Sequence, residues 1–201
     1  MDLENSNLEE NPVKSESKTT NVVPNAARKY TSLDIPEMRS WSQKQFDDLY
    51  LTLEHGEVPD GPFSGAVVMP KGKDQSLVLR KLDHLGFRHL AETLWKGKHF
   101  FKDEMALRNR VSLFGQRRMF PAKLYVGESY FDSSKPAVII DYSKFDEVQN
   151  YNRYLDFLLG SSLLNVRDEI RKINDDFYLG RAYLGQTFCL NFILFKPESL
   201  H

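Results

Sequence analysis

The sequence predicts a mainly β domain, an antiparallel meander closed or nearly closed into a barrel, with two or three helices covering one end. Three observations predict this fold class. From about residue 106 the chain divides into short segments rich in β-branched and aromatic residues, as is typical of strands. Gly, Asp, Asn and Ser separate these segments in hairpin order. A meander of this length removes its exposed edges by closing on itself.

The composition predicts one globular domain in a reducing compartment. Of the 201 residues 41% are hydrophobic, and 27 basic residues nearly balance 28 acidic ones. We therefore expect neither general nucleic-acid binding nor attraction to anionic membranes. The single cysteine, Cys189, excludes an internal disulfide framework. We find no signal-peptide pattern and no apolar run long enough for a membrane-spanning helix. A cytoplasmic protein without membrane insertion is predicted, and nothing indicates its oligomeric state.

The N-terminal region predicts a tail followed by a helix. Residues 1–35 are rich in Asn, Glu, Ser, Lys and Thr and bury too little apolar surface to become ordered, so we predict a disordered tail. Residues 36–201 form the predicted single domain. It begins with a helix over 41–54, which has a capping box from Ser40 to Gln43 and stops near Gly56.

The rest of the chain contains further helices and a series of strands. Two helices are predicted over 76–94 and 150–164 from apolar residues at helical spacing. The predicted strands lie at 63–70, 106–115, 119–131, 135–143, 166–173, 177–184 and 186–195. The NDD sequence at 174–176 is the predicted turn between the two strands that precede the last one.

Alternation along the strands identifies candidate interior polar residues. Asp168 alternates with apolar residues in VRDEIRKI, so we expect it to point inward, whereas we expect Glu169 on the other face to take part in a cross-strand ion pair. Asp141 alternates with apolar residues in AVIIDY and is a second candidate inward acid. In FYLGRAYL both faces carry apolar residues, so the placement of Arg181 stays open, and we favour the interior.

An inward acid and an inward arginine allow two interpretations. They orient a polar ligand or hold a proton for transfer, because burial and neighbouring charges shift pKa values. Alternatively, they form an internal ion pair with a purely structural role. We favour the structural interpretation.

One segment of the chain is locally basic. Its cationic residues are Lys102, Arg108, Arg110, Arg117, Arg118 and Lys123, and Phe114, Phe120 and Tyr125 accompany them. Such a combination occurs on surfaces that bind single-stranded nucleic acids. Because the net charge is only -1, we favour a solvated outer sheet face, with Arg108 and Arg110 pointing outward. The sequence therefore predicts no nucleic-acid partner.

The sequence lacks the common motifs of metal and cofactor sites. His84 and His89 lie five residues apart, on different sides of a helix, and no zinc spacing occurs. Cys189 lies in an apolar strand and is interpreted as a buried, inert thiol. Neither a phosphate-binding glycine loop nor a dinucleotide motif is present. We therefore predict no cofactor and no metal site.

The segment ETLWKGKHF resembles the core of the lipocalin-like bacterial family that is named for its GXWXG motif. Trp95 and Gly97 match the W-x-G part, and Thr93 takes the place of the first glycine. The final third, with AVIIDY, VRDEIRKINDDFYLG and an aromatic last strand, is similar to that family's ending. RDEIR…YLGRAYL also resembles a group of uncharacterised bacterial proteins. The resemblance covers about residues 60–196 and implies a small lipocalin-like β-barrel, without any established reaction.

Together these observations predict a small-molecule binding protein that holds an apolar or amphipathic ligand in the cavity of the barrel. An eight-stranded barrel has room for one small ligand. The candidate ligand-binding residues are Trp95, Asp141, Tyr142, Asp168, Tyr178 and Arg181. Two alternatives stay open. One is a cofactor-independent enzyme that uses Asp168 or Asp141 as acid and base, and the other is a protein-interaction module.

Overall fold

A computed structural model of the chain describes residues 29–68, 93–112, 116–148 and 165–197. Within them, eight antiparallel strands form a closed barrel, which confirms the predicted fold class. The strands are β1 (Gly61–Val68), β2 (Trp95–Phe101), β3 (Ala106–Ser112), β4 (Gln116–Glu128), β5 (Pro136–Asp141), β6 (Val166–Asn174), β7 (Phe177–Leu184) and β8 (Thr187–Phe195). Two helices, α1 (Ile35–Met38) and α2 (Gln43–Thr52), precede the barrel.

The barrel is a simple meander that closes between its first and last strands. Each strand pairs with the next one in the chain, and β8 returns to pair with β1. Phe192 of β8 lies opposite Val67 on one side and opposite Gly180 on the other. Because every described strand has two neighbours, none of them presents an unpaired edge.

The strand β2 is not among the predicted strands. Its sequence, WKGKHFF, contains two lysines, a histidine and a glycine, so it lacks the clean alternation of a half-buried strand. A β-bulge interrupts its pairing with β3 between Trp95 and Gly97. The extra residue brings both Trp95 and Lys98 to the interior, although they are three positions apart in the sequence. The predicted helices at 76–94 and 150–164 lie outside the described residues, apart from positions 93 and 94 of the first.

Apolar side chains from all eight strands pack inside the barrel. One end of the barrel, where β1 begins, is closed by Phe63, Phe100 and Tyr178, which are at most 3% exposed. The ring of Phe63 lies edge to face against both others, with centroids 5.6 Å apart in each pair. The opposite end, where β1 ends and β2 begins with Trp95, is called the Trp95 end below.

The N-terminal helices cover the outer wall formed by β7, β8 and β1. Their buried apolar residues are Tyr30, Ile35, Met38, Trp41, Phe46, Leu49 and Tyr50. These side chains pack against Ala66, Leu179 and Ile193, which point outward from the barrel. The described helices therefore lie along a wall, and the prediction that helices cover one end is wrong for these two.

The described residues include part of the predicted disordered tail. Tyr30 is only 2% exposed and its ring stacks on that of Phe177, with centroids 6.5 Å apart. Thr31 and Asp34 form the capping box of a 3-10 turn. The prediction of disorder is therefore wrong for residues 29–35, because one aromatic anchor outweighs the polar composition around it. Residues 1–28 lie outside the described part of the chain.

The capping box of α2 also differs from the predicted one. The side chain of Ser42 accepts a hydrogen bond from the Gln45 backbone, and Gln45 Oε1 accepts one from the Ser42 backbone at 2.9 Å. The predicted pair, Ser40 and Gln43, lies two residues too early. Trp41, between them, is buried in the helical layer, and the chain turns into the helix only after it.

Gly65 makes room for the indole of Trp95, and Gly97 allows the backbones of β1 and β2 to approach closely. Gly97 has a φ of 126°, and a Cβ at this position would lie 2.1 Å from the carbonyl oxygen of Phe63. A Cβ on Gly65 would lie 2.4 Å from Cη2 of the Trp95 ring. The indole thus lies directly on the backbone of β1. The W-x-G segment therefore has a packing role that requires glycine.

We expect Gly97→Ala to lower the free energy of unfolding by at least about 3 kcal/mol, because it combines a strained φ with a clash against backbone. Gly127→Ala is the matched control, since it also adds a methyl group in a strand but has no positive φ and meets only side-chain carbons, 3.2 Å away at the nearest. Urea unfolding of both variants measures the difference. Equal losses would contradict the role given to Gly97.

Candidate functional site

Four polar side chains meet inside the barrel, and we call them the interior polar cluster: Lys98 of β2, Asn109 of β3, Tyr142 just after β5 and Asp168 of β6. Each is between 2% and 6% exposed. The side chains of Phe100, Leu107, Ile140 and Ile170 lie one step further along the same strands, toward the closed end. The cluster therefore lies between the apolar core and the Trp95 end.

Lys98 is the centre of this cluster. Its Nζ donates hydrogen bonds to Tyr142 Oη at 2.6 Å, Asp168 Oδ2 at 2.8 Å and Asn109 Oδ1 at 3.1 Å. All three N–H donors of the ammonium group are thereby used. The ammonium also lies 5.2 Å from the ring centre of Phe192, within range of a cation–π interaction. The buried charge is thus fully compensated.

Asn109 connects the cluster to the strand backbone and to Trp95. Its Oδ1 accepts a hydrogen bond from Trp95 Nε1 at 3.0 Å, and its Nδ2 donates one to the carbonyl oxygen of Phe120 at 3.2 Å. Phe120 has a φ of 53° and lies at a β-bulge between β3 and β4. Asn109 therefore stabilises an unfavourable backbone conformation and orients the indole with one side chain.

Lys98 and Tyr142 are each held in one protonation state near neutral pH. Burial alone lowers the pKa of Lys98, but the Asp168 carboxylate and the Tyr142 hydroxyl outweigh it, so the pKa of Lys98 lies above its ordinary value. Burial, together with the charge of Asp168, raises the pKa of Tyr142 to about 12. Lys98 is thus a stable cation and Tyr142 a neutral phenol. Neither group is ready to exchange a proton at pH 7.

Half-buried apolar side chains surround the cluster toward the Trp95 end. Trp95, Phe120, Val166, Ala182 and Leu190 all pack against the interior core and all keep part of their surface exposed. The indole of Trp95 lies edge to face on Phe192, with centroids 5.7 Å apart. This apolar rim contrasts with the closed end, where the interior aromatic rings are fully buried.

Three of the six predicted site residues come together in the barrel. Trp95, Tyr142 and Asp168 belong to or contact the interior polar cluster, and the inward orientation of Asp168 is confirmed. Tyr178 also points inward but lies at the closed end, where its hydroxyl donates to the carbonyl oxygen of Glu57 at 3.4 Å. Burial is the main cause that raises the pKa of Tyr178 to about 12.

The other two predicted site residues point away from the interior. Asp141 lies on the outer face of β5, where it accepts a hydrogen bond from Tyr125 at 3.2 Å, so its predicted inward placement is wrong. The prediction for Arg181 is also wrong. Arg181 is 3% exposed, but it lies on the outer wall under α2, where it forms an ion pair with Asp47 at 2.5 Å. Both faces of β7 are buried, so alternation could not distinguish them.

The outer wall under α2 has its own buried charges. Arg171 is fully buried, pairs with Asp132 at 3.1 Å and donates to the carbonyl oxygen of Tyr50 at 3.0 Å. Glu169, predicted to form a cross-strand ion pair, instead pairs with Arg167, two residues away on its own strand, at 3.2 Å. It also accepts a hydrogen bond from the Tyr130 backbone at 2.8 Å. These contacts attach α2 and the segment before β5 to the barrel and do not reach its interior.

Lys98 and Asn109 were missed as site residues. The alternation of β3 does place Asn109 inward, with Leu107 and Val111, but a lone amide among apolar residues gives no functional signal. Lys98 gave no signal at all, because the bulge in β2 conceals the inward position of a residue that is otherwise mostly exposed in proteins.

Other features of the described residues are weaker candidates for a functional site. Cys189 is half-buried, and burial raises the pKa of its thiol, which disfavours a reactive thiolate. No three His, Cys, Asp or Glu residues cluster as metal ligands in the described ranges. A cavity of about 300 Å³ lies outside the barrel, between Tyr30 and Phe195, and is separate from the cluster.

Comparison with solved structures finds a protein of similar fold. A crystal structure of a protein from Thermomonospora curvata matches with a TM-score of 0.50 and 18% sequence identity, over 83% of this chain and 95% of that chain. At this identity the similarity concerns the fold alone. No family model matches the sequence, and no curated protein matches it either. In the described part of the chain, no helix has the length and apolar character needed to cross a bilayer.

We expect Asp168→Asn to lower the free energy of unfolding by about 3 to 5 kcal/mol, because it leaves the Lys98 ammonium buried without its counter-charge. The double variant Lys98→Met/Asp168→Leu removes both charges and should cost much less, or even stabilise the barrel. Denaturant unfolding of Lys98→Met, Asp168→Leu and the double variant gives the coupling energy between the two side chains.

The exposed pair Lys44–Asp48 is the control for this cycle. It has a comparable separation, 2.7 Å, but its side chains are 80% and 41% exposed. Asp48→Asn should therefore cost less than about 1 kcal/mol. If Asp168→Asn costs no more than Asp48→Asn, the interior pair does not stabilise the fold.

The raised pKa of Tyr142 predicts a loss of stability in alkali. Its pKa rises from 10.0 to about 12 on folding, so its contribution is complete below pH 10 and disappears as the pH approaches and passes 12. Unfolding measured at about pH 9 and pH 11.5 should give a fall that is about 2 kcal/mol smaller in Tyr142→Phe than in the unmodified protein. Tyr130→Phe, which removes an exposed tyrosine, should keep the full fall. An unchanged fall in Tyr142→Phe would contradict the assignment.

Proposed function

We propose that this protein binds an apolar or amphipathic small molecule at the Trp95 end of the barrel. The observation that carries the proposal is the apolar rim: Trp95, Phe120, Val166, Ala182 and Leu190 face the interior and remain partly exposed. Partly exposed apolar side chains directed into the mouth of a barrel are a typical setting for a small ligand. Burying this rim under a ligand would be favourable by the hydrophobic effect.

The interior polar cluster supports an apolar ligand over a charged one. Lys98 has all three of its donors engaged and its charge is compensated by Asp168. A ligand carboxylate would have to compete with Asp168 for these donors in a buried site. A ligand at the rim would therefore contact mainly the indole face and aliphatic groups, with any polar group directed toward the solvent.

The enzyme alternative receives less support from this geometry. Asp168 would be its acid or base, but the carboxylate is already bonded to Lys98 and Tyr142. Tyr142, with a pKa of about 12, is a poor acid near neutral pH. Asp141, the other candidate, lies on the outer face beside Tyr125. The cluster is arranged to hold charge in place, which suits a binding scaffold better than proton transfer.

The resemblance to the GXWXG-type family enters as part of this proposal. It rests on Trp95 and Gly97, and these two residues have a joint packing role, with Gly97 at a φ of 126° beside the strand that the indole covers. A family that retains this pair would retain the same barrel mouth. Membership of that family stays a prediction.

A binding titration with cis-parinaric acid, a fluorescent fatty acid, tests the proposal. The Trp41→Phe background leaves Trp95 as the single indole, since the chain has two tryptophans. We expect energy transfer from Trp95 to the probe. Ala182→Leu, which fills part of the rim, should weaken binding at least about tenfold, because even one extra methylene is strongly felt in a closely packed interior.

Val126→Leu is the matched control. Val126 is 45% exposed, on β4 outside the rim, so its enlargement should leave the affinity unchanged. Native mass spectrometry of the protein purified from its source should also detect a co-purifying apolar molecule. Absence of probe binding together with absence of a co-purifying molecule would overturn the proposal, as would equal affinity in Ala182→Leu.

A further inference from the structure

One face of the barrel concentrates positive charge. The outer surfaces of β2, β3 and β4 carry His99, Phe101, Arg108, Arg110, Arg118 and Lys123, which we call the basic face. The outward orientation of Arg108 and Arg110 is confirmed, since Leu107 and Asn109 point inward between them. The α1–α2 layer lies over β7, β8 and β1, so it does not cover this face.

The arginines are closely spaced. Arg110 lies directly opposite Arg118 across β3 and β4, and like charges in such a pair destabilise a sheet. Arg108 precedes Arg110 by two residues and lies on the same face of β3, about 7 Å away along the strand. The guanidinium carbons of Arg108 and Arg118 lie 5.7 and 5.9 Å from the ring centre of Phe101, so one ring serves both cations.

The arginines of the basic face change the electrostatic environment of His99. His99 stacks on Phe101 with ring centroids 4.7 Å apart. Partial burial, together with the charges of Arg118, Arg110 and Arg108, holds the pKa of His99 below its ordinary value, against the opposing effect of Asp60. Around His99, three arginine charges thus stand against the carboxylate of Asp60, a positive balance that a polyanion would complement.

We propose that the basic face binds a single-stranded nucleic acid, with backbone phosphates on the arginines and bases beside the aromatic rings. Arginine matches phosphate geometry with two parallel donors. Surfaces that bind single strands combine a basic track with aromatic rings on which bases stack. Here Phe101 and His99 supply rings on β2, and Tyr125 supplies one further along β4. The net charge of -1 does not reveal this face, because it also counts the acidic residues of the rest of the chain.

The same face does not suit a lipid bilayer. The exposed large hydrophobic residues of the described ranges are Leu33, Leu51, Val126, Tyr130 and Leu184. None of them belongs to the basic face, so this surface offers no exposed apolar side chain to insert among lipids. A partner that presents regularly spaced phosphates without requiring insertion fits better.

Fluorescence anisotropy with a labelled oligothymidylate of about twelve nucleotides tests the proposal. The triple variant Arg108→Gln/Arg110→Gln/Arg118→Gln should bind at least about tenfold more weakly at 0.1 M salt. Its plot of log K against log salt should be shallower by about 2, since each phosphate contact on a single strand contributes about 0.7. In the unmodified protein, the oligonucleotide should raise the pKa of His99, measured by NMR titration.

The control variant is Lys29→Gln/Arg39→Gln/Lys44→Gln. It removes the same number of charges from exposed residues of the N-terminal segment and should bind like the unmodified protein. If the triple arginine variant fails to fold, Arg118→Gln, at an exposed position, provides the same comparison. Equal binding by both variants, no binding by the unmodified protein, or binding only to phosphatidylserine vesicles would each overturn the proposal.

Discussion

The relative placement of four chain segments inside the barrel depends most on the buried ion pair between Lys98 and Asp168. The pair joins β2 to β6 across the interior, and the two other partners of the ammonium, Asn109 and Tyr142, come from β3 and from the turn after β5. Desolvating an ammonium and a carboxylate is costly unless every donor and acceptor is compensated. Because one lysine satisfies this requirement with three partners, the positions of four chain segments are specified together. An apolar core of the same volume would fill the space without directional bonds between these four segments.

The two sides of the barrel wall carry different arrangements of charge. Under α2, Arg171 and Arg181 are buried and each has a carboxylate partner, Asp132 and Asp47 respectively. These pairs attach the N-terminal layer to the barrel at defined points. On β3 and β4, Arg110 and Arg118 instead face each other as like charges. Arginine thus attaches the helical layer on one wall and concentrates positive charge on the other, where Nη1 of Arg110 also donates to the carbonyl oxygen of Phe63 at 3.3 Å. Only the second arrangement carries the proposed nucleic-acid site.

The parts of the fold that sequence could predict are those with undisturbed alternation. The strands β6, β7 and β8 and the turn at 174–176 follow directly from their pattern, and Asp168 was placed correctly among apolar neighbours. Arg181 could not be placed, because both faces of β7 are buried, one by the core and the other by α2. Alternation predicts orientation only when one face meets water. The charge partners of Arg181 and Lys98 are distant in sequence, so no local sequence pattern predicts them.

Two β-bulges account for the positions of both proposed sites. In a regular strand, residues three or five positions apart point to opposite faces. The bulge at Gly97 brings Trp95 and Lys98 to the interior together. The bulge at Phe120 likewise puts Arg118 on the outer face with Lys123. Without these single extra residues, Lys98 or Trp95 would point to solvent, and Arg118 would point into the core. The left-handed conformation of Phe120, whose carbonyl oxygen accepts a hydrogen bond from Asn109, thus positions side chains on both surfaces of the barrel.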